Sequence, residues 1–189
     1  MNRGTLVQIV VTWFGLGKIP FMPGTWGSLG AIPILGAIHL IFDTDTMWGQ
    51  WMWILTLISI IIVLYLVGFY CTRSYLKTGV KSDPQEVVID EVVGQLLSAL
   101  IFMSLFWGFA RGPGVWQVEM MKVGGEIPYL CLCFALFRFY DIVKVWPVSY
   151  ADTKLPGAHG VMMDDVFAGL YAGITLFGIE FGMRFYQGH

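Results

Sequence analysis

Charge is scarce in this chain. Asp, Glu, Lys and Arg make up 13% of its 189 residues, where a soluble domain carries about 25%. Hydrophobic residues make up 57%, and the mean hydropathy is +0.70. Such a composition excludes an ordinary soluble domain and leaves an integral membrane protein. Residues 1–189 read as a single membrane domain, too short to carry a large extra one. The net charge of −2 offers no basic surface, which removes nucleic acid from the expected partners. Cysteine is equally sparse. Cys71, Cys131 and Cys133 lie in apolar runs without a neighbouring histidine, so neither a disulfide framework nor a zinc site is expected, and they read as small buried hydrophobes. No small-residue cleavage site follows the N-terminal apolar run Leu6–Leu16, which Gln8 interrupts. That run reads as an interfacial helix, not a signal peptide.

Long apolar stretches are what the chain has in abundance. With about 20 residues needed per crossing, the candidate spans are Trp26–Phe42, Trp51–Cys71, Val92–Ala110, Ile127–Val145 and Val166–Tyr186. The first, interrupted by Gly27, Gly30, Pro33 and Gly36, is the weakest. The expected fold is all-α: a polytopic membrane bundle of four to five spans plus the interfacial N-terminal helix. If the N-terminus is cytoplasmic and all five segments cross, then Arg3, Lys18, Arg73, Lys77, Lys81, Arg138, Lys144 and Lys154 fall on the inner side. Only Arg111, Lys122 and Arg184 fall outside, as the positive-inside rule demands.

Acidic clusters interrupt this apolar background at Asp90-Glu91, Asp141 and Asp164-Asp165. A carboxylate near hydrocarbon costs roughly 2.5–3.5 kcal/mol on insertion scales, so it is kept only with a partner. Several converging carboxylates repel one another, and a divalent cation relieves that repulsion. Such a cation implies chemistry on a phosphate. The five-span topology puts all these clusters on one membrane face, together with the Pro23–Ser28 stretch, which reads as a glycine-rich loop ahead of a helix. Its backbone N–H groups and the Thr25 and Ser28 hydroxyls are candidate phosphate contacts, with an N-cap by Thr25 as the plainer explanation.

Local signals bear on each carboxylate. Asp83-Pro84-Gln85-Glu86 has the form of a capping box, which starts the third helix near Pro84 and sets Asp90 and Glu91 well inside it. Asp164 and Asp165 stand where the last helix is expected to begin, so the helix dipole is a competing explanation for them. Arg138, Asp141 and Lys144 recur at i, i+3 and i+6, along one helical flank. They are either a self-neutralising cluster at the membrane edge or a metal ligand flanked by two phosphate-binding cations. Gly94 follows Asp90 by four residues and Gly169 follows Asp165 by four, a faint internal echo that would let two helices approach closely. His39 and His159 read as interface and loop residues.

Four strings then carry a resemblance. They are Lys18–Ser28 (KIPFMPGTWGS), Val88–Gly94 (VIDEVVG), Phe137–Lys144 (FRFYDIVK) and Gly160–Asp165 (GVMMDD), with Ala168-Gly169 following. Their order and spacing resemble the phosphatidylglycerophosphatase A family, from about Gly15 to about Thr175. The resemblance implies an all-helical, magnesium-dependent phosphatase in the bacterial inner membrane. It would convert phosphatidylglycerophosphate to phosphatidylglycerol and phosphate at the cytoplasmic face, as a step of phospholipid biosynthesis. Asp90, Glu91, Asp141, Asp164 and Asp165 would be its catalytic and Mg2+-binding residues, and Thr25, Ser28, Arg138 and Lys144 would bind the substrate phosphate. Val145 stands where that family usually has proline, and Ala158 where glycine is common. The Lys-Arg-Pro, Pro-Ser-Gly-His and Ser-Arg-His motifs of the other lipid-phosphatase superfamily are missing. A rival reading is a small transporter or channel that uses edge carboxylates for ions or protons, which predicts polar groups near mid-membrane.

Overall fold

The computed structural model describes residues 3–78, 85–110 and 127–186, and every regular element among them is a helix. In chain order these are α1 (Arg3–Val11), α2 (Pro23–Leu29), α3 (Ile32–Ile41), α4 (Met47–Leu76), α5 (Ile89–Ala110), α6 (Ile127–Val143), α7 (Val148–Lys154) and α8 (Ala158–Tyr186). Four described stretches are long and apolar enough to cross a membrane: Pro23–Ile41, Met47–Leu76, Ile89–Phe109 and Ala158–Met183.

The first of these stretches is two helices joined at Gly30-Ala31. Pro33 falls at the start of α3, where its missing N–H costs nothing. The indole of Trp13 donates to the Gly30 carbonyl at 3.3 Å, satisfying an oxygen left over at the joint. α6 has 17 described residues. At 1.5 Å per residue that is about 25 Å, short of the ~30 Å hydrocarbon core.

The helices alternate in direction. The α4 start meets the α5 end, where Trp53 and Trp107 pack edge to face at 5.2 Å. The other end of α4 meets the starts of α5 and α8, where Gly68 lies against Ile89 and Met162. α6 runs antiparallel to α5. Tyr129 stacks on Phe102 at 5.5 Å, and nearer the other end Phe137 covers Gly94. One end of the bundle therefore gathers the starts of α2, α5 and α8, the ends of α4 and α6, and α7.

α5 is the axis of the bundle. Val92, Val93, Leu96, Ala99 and Phe102 are buried, whereas α4 leaves Leu55, Ile62, Val63 and Leu66 exposed, as a lipid-facing helix does. α5 and α8 cross on small residues. A Cβ on Gly94 would lie 2.7 Å from the Asp165 carbonyl oxygen, and one on Gly169 would run into the Gly94 backbone. The spacing of these two glycines therefore does mark a close helix approach.

Two helix starts differ from expectation. α5 begins at Ile89, not near Pro84. Asp83 and Pro84 lie outside the described residues, and the Glu86 carboxylate accepts a hydrogen bond from the Tyr75 hydroxyl instead of closing a capping box. The Val88 N–H is spent on the Val11 carbonyl at 2.9 Å, a tertiary bond that ties the approach to α5 onto the end of α1. α8 begins at Ala158, well before Val166, directly after Gly157 at φ 60°. His159 thus belongs to its first turn, where the ring lies 4.6 Å from that of Phe69. The roles of the two acidic pairs are exchanged as a result. Asp90 and Glu91 occupy a first turn, and Asp164 and Asp165 lie nearly two turns inside a helix.

Candidate active site

At the gathered end, α2, α5, α6, α7 and α8 surround a cavity of about 620 Å³. Its polar wall is Asp90, Glu91, Arg138, Asp141, Lys144, Asp152, Asp164 and Asp165, and Met22, Val87, Ile142, Leu155 and Val161 supply its apolar wall. The five carboxylates and two cations expected from sequence thus line one space. They form three groups.

The innermost group is Asp90, Glu91 and Asp165. One carboxylate oxygen from each lies within 4.8 Å of the others. Asp90 is 6% exposed and Asp165 3%. The α5–α8 crossing at Gly94 and Gly169 brings these residues together one turn away. Glu91 Oε2 and Asp165 Oδ1 are buried without a hydrogen-bond partner, and an orphaned buried carboxylate oxygen is costly. Three acids facing one another with spare lone pairs are a set of oxygen donors that could hold a hard divalent cation.

The second group is Arg138 and Asp141, one turn apart on α6, with Nη1 and Oδ2 at 2.7 Å. Gly24 lies directly behind it. A Cβ there would meet the Glu91 carboxylate and come within 2.9 Å of Arg138 Nη1, so only glycine allows α2 this close.

The third group centres on Lys144. It does not continue the flank of Arg138 and Asp141, because the helix ends at Val143 and Lys144 turns to φ 50°. Its N–H still closes on the Tyr140 carbonyl at 2.9 Å. The ammonium reaches Asp164 Oδ2 at 3.0 Å and also pairs with Asp152. Burial alone would lower its proton affinity, but the hydrogen bond it donates to Asp152, together with the charge of Asp164 and the hydrogen bond it donates there, outweighs that and raises its pKa above the usual lysine value. It stays an ammonium at any physiological pH.

Asp164 and Asp165 therefore diverge, as helical neighbours about 100° apart must: Asp165 faces the acidic group and Asp164 faces Lys144. Asp152, absent from the sequence-based candidates, sits on α7 across a turn from Lys144. No periodicity links the two, so its only signal was an acid in a short polar stretch.

The Pro23–Ser28 stretch is helix α2, not a loop. The Ser28 hydroxyl is buried and donates to the Gly24 carbonyl at 2.9 Å. Thr25 does not cap α2: Met22 occupies the cap position, and the Thr25 hydroxyl is buried without a partner. Neither residue lines the cavity, whereas Met22, Pro23 and Gly24 do. Cys133 is buried as expected, but Cys71 is only half-buried and Cys131 is exposed. Far from the cavity, Glu180 is buried on α8 and accepts from the Tyr129 hydroxyl at 3.4 Å, so it joins α8 to α6.

Comparison with known proteins places the chain in a family. The family model described as Phosphatidylglycerophosphatase A matches residues 9–180. A Haemophilus influenzae protein named Phosphatidylglycerophosphatase A is 33% identical, over 94% of this chain and 90% of its own. An Escherichia coli protein of the same name is 28% identical, over 90% and 81%. A Bacteroides thetaiotaomicron protein provisionally named phosphatidylinositol-3-phosphatase is 30% identical, over 93% and 95%. No solved structure gives a significant match.

Proposed function

This chain belongs to the phosphatidylglycerophosphatase A family and is a membrane enzyme that hydrolyses a phosphate monoester, and on that premise we propose that it converts phosphatidylglycerophosphate to phosphatidylglycerol with the help of Mg2+. The observation that carries this reading is the cavity itself. A carboxylate triad with orphaned oxygens faces two cationic side chains at one end of an apolar bundle. A lipid phosphate lies at that depth, with its tails in hydrocarbon and its headgroup at the interface.

The donor set fits magnesium better than zinc, since it offers oxygens without His or Cys. Asp90, Glu91 and Asp165 would hold the ion. When bound, it would neutralise phosphate oxygens and favour an ionised water. The other roles belong to side chains. Arg138 and Lys144 face the phosphoryl oxygens and offset their charge as the bond from phosphorus to the glycerol oxygen breaks. Asp141 and Asp164 line the same space, and in this proposal one of them takes the proton of the attacking water. Met22 and Ile142 border the cavity and are also exposed outward, at 48% and 64%, which suits a lipid arriving from the membrane.

The site faces the cytoplasm in this proposal, in the bacterial inner membrane, where the product feeds phospholipid biosynthesis. The exposed basic residues Arg3, Lys18, Arg73, Lys77 and Lys154 support that orientation. Lys81, on the inner side of that count, and Arg111 and Lys122, on the outer, lie outside the described residues. A reporter fused at His189 is expected on the opposite side.

The test is phosphate release by purified protein from phosphatidylglycerophosphate and, because of the Bacteroides relative, from phosphatidylinositol 3-phosphate. Turnover is expected with the first, abolished by excess EDTA and restored by magnesium. Full turnover in EDTA would overturn the metal assignment. Hydrolysis of the inositol lipid alone would overturn the substrate.

A further inference from the structure

Lys144 is held from two sides, and the two partners are unequal. Asp164 lies on α8 with its side chain 10% exposed; Asp152 lies on α7 with its side chain 33% exposed, at the cavity rim. Asp152 is not loosely placed. α7 is short, but Val148 and Ala151 are fully buried against α8, and the Tyr171 hydroxyl donates to the Trp146 carbonyl at 2.9 Å just ahead of it. The backbone of Lys144 adds a further sign. A left-handed residue that is not glycine costs roughly 1–2 kcal/mol. Glycine or asparagine normally fills a helix-ending position of this kind. A lysine there is kept for its side chain, and the conformation aims that side chain away from the α6 flank and across to α7 and α8.

We infer that Asp152 is a positioning residue: it parks the Lys144 ammonium at the rim of the cavity and gives it up to the incoming substrate phosphate, while Asp164 retains its grip from below. This rests on the phosphatase reading of the cavity. Asp164 is the permanent partner because it is the more deeply buried, and an ion pair there is costly to break. Asp152 is the exchangeable one because water can replace it. An ammonium with three donors can serve Asp164 and a phosphate oxygen together. Removing Asp152 leaves the charge in place and frees it to wander, so the step that needs its placement slows while substrate binding does not weaken.

The experiment uses the detergent-purified full chain and has two arms. The first is independent of activity: acylation of lysines by a succinimidyl ester, read by mass spectrometry, with exposed Lys18 and Lys154 as internal references. In Asp152→Ala, Lys144 should react at least about threefold faster than in the unsubstituted protein, because its ammonium has lost one stabilising partner. An unchanged rate overturns the proposal, whatever the substrate. The second arm is steady-state phosphate release. Asp152→Ala should lower kcat about tenfold without raising KM, a misplacement effect. Asp152→Asn, which keeps an oxygen for the ammonium, should recover kcat to within about threefold. In a Lys144→Ala background, Asp152→Ala should add no further loss. A full loss in Asp152→Asn, or an undiminished effect of Asp152→Ala without Lys144, would overturn the positioning role and assign the carboxylate its own chemistry. Absence of turnover in the unsubstituted protein would instead defeat the phosphatase reading and leave the first arm to decide Asp152.

Discussion

Two acidic groups share one cavity and solve the same problem in opposite ways. Around Lys144, two carboxylates share one ammonium, so the protein itself supplies a cation that pairs with both and leaves one net negative charge. Around Asp165, three carboxylates converge without an ion pair among the described residues, the neighbouring Arg138 being paired with Asp141, and two of their oxygens stay unpartnered. The residues are chemically alike and line the same cavity. Their surroundings differ: the first group was completed by the fold, and the second was left to be completed by something that binds. Asp164 and Asp165 are adjacent in sequence and fall one on each side of this division.

That division makes opposite predictions for two adjacent substitutions. Asp165→Asn should cut turnover by about a hundredfold or more, on the order of 2.7 kcal/mol of barrier at 1.36 per tenfold. Asp90→Asn and Glu91→Gln should behave alike. Without divalent cation, Asp165→Asn should also raise the melting temperature by a few degrees, because it removes repulsion among unpaired acids. Asp164→Asn should do the reverse to stability, since it breaks a made ion pair and leaves Lys144 with Asp152 alone. Thermal unfolding in EDTA, alongside phosphate release, reads both. Destabilisation by Asp165→Asn, or stabilisation by Asp164→Asn, would erase the distinction between the groups.

The α5–α8 crossing offers a second, milder way to separate them. Asp90 and Glu91 stand on α5 and Asp165 on α8, so their convergence depends on how closely these helices approach. Lys144, Asp152 and Asp164 belong to α8 and the segment docked on it. Gly169→Ala places a methyl into the Gly94 backbone and must push the helices apart. Turnover should fall about tenfold, a misplacement effect, and the magnesium concentration for half-maximal rate should rise. Acylation of Lys144 should stay as in the unsubstituted protein. If Lys144 reactivity rises as well, the two groups are not mechanically independent.

Some of this was legible in the chain and some was not, for identifiable reasons. The apolar runs and the edge placement of the acids are set by the bilayer, a solvent whose demands are written residue by residue. The Gly94 and Gly169 pair was legible because small residues are the one currency for close helix contact in lipid. Helix starts were less so. The Asp83–Glu86 pattern obeys every local rule for a cap, yet Val88 is bonded to Val11 and Glu86 to Tyr75, contacts from far away in sequence. Lys144 broke the i, i+3, i+6 flank because a left-handed turn there is normally announced by glycine. Asp152 had no signal of its own, since its role comes from a lysine that the turn delivers to it.

The smallest expected effect falls on α2, where sequence and structure disagree about which residues matter. The hydroxyls of Thr25 and Ser28 looked like phosphate contacts, but Ser28 is turned into the helix and bonded to its own backbone at Gly24, and neither residue lines the cavity. Ser28→Ala removes one buried hydrogen bond, worth about 1 kcal/mol. The Gly24 carbonyl that loses its donor sits inside a helix and keeps other routes to a partner. Turnover should therefore stay within about twofold, with at most a small drop in melting temperature. Gly24→Ala, one turn away, is the contrasting substitution. It leaves every hydroxyl in place and drives a methyl against Glu91 and Arg138, the contact through which α2 presses on the acidic triad. Its loss should exceed that of Ser28→Ala by an order of magnitude or so. Matched rates for the two variants on phosphatidylglycerophosphate decide the matter. If Ser28→Ala is the worse, the serine reaches substrate in a conformation of α2 other than this one, and α2 would have to be counted among the moving parts of the site and not as its fixed wall.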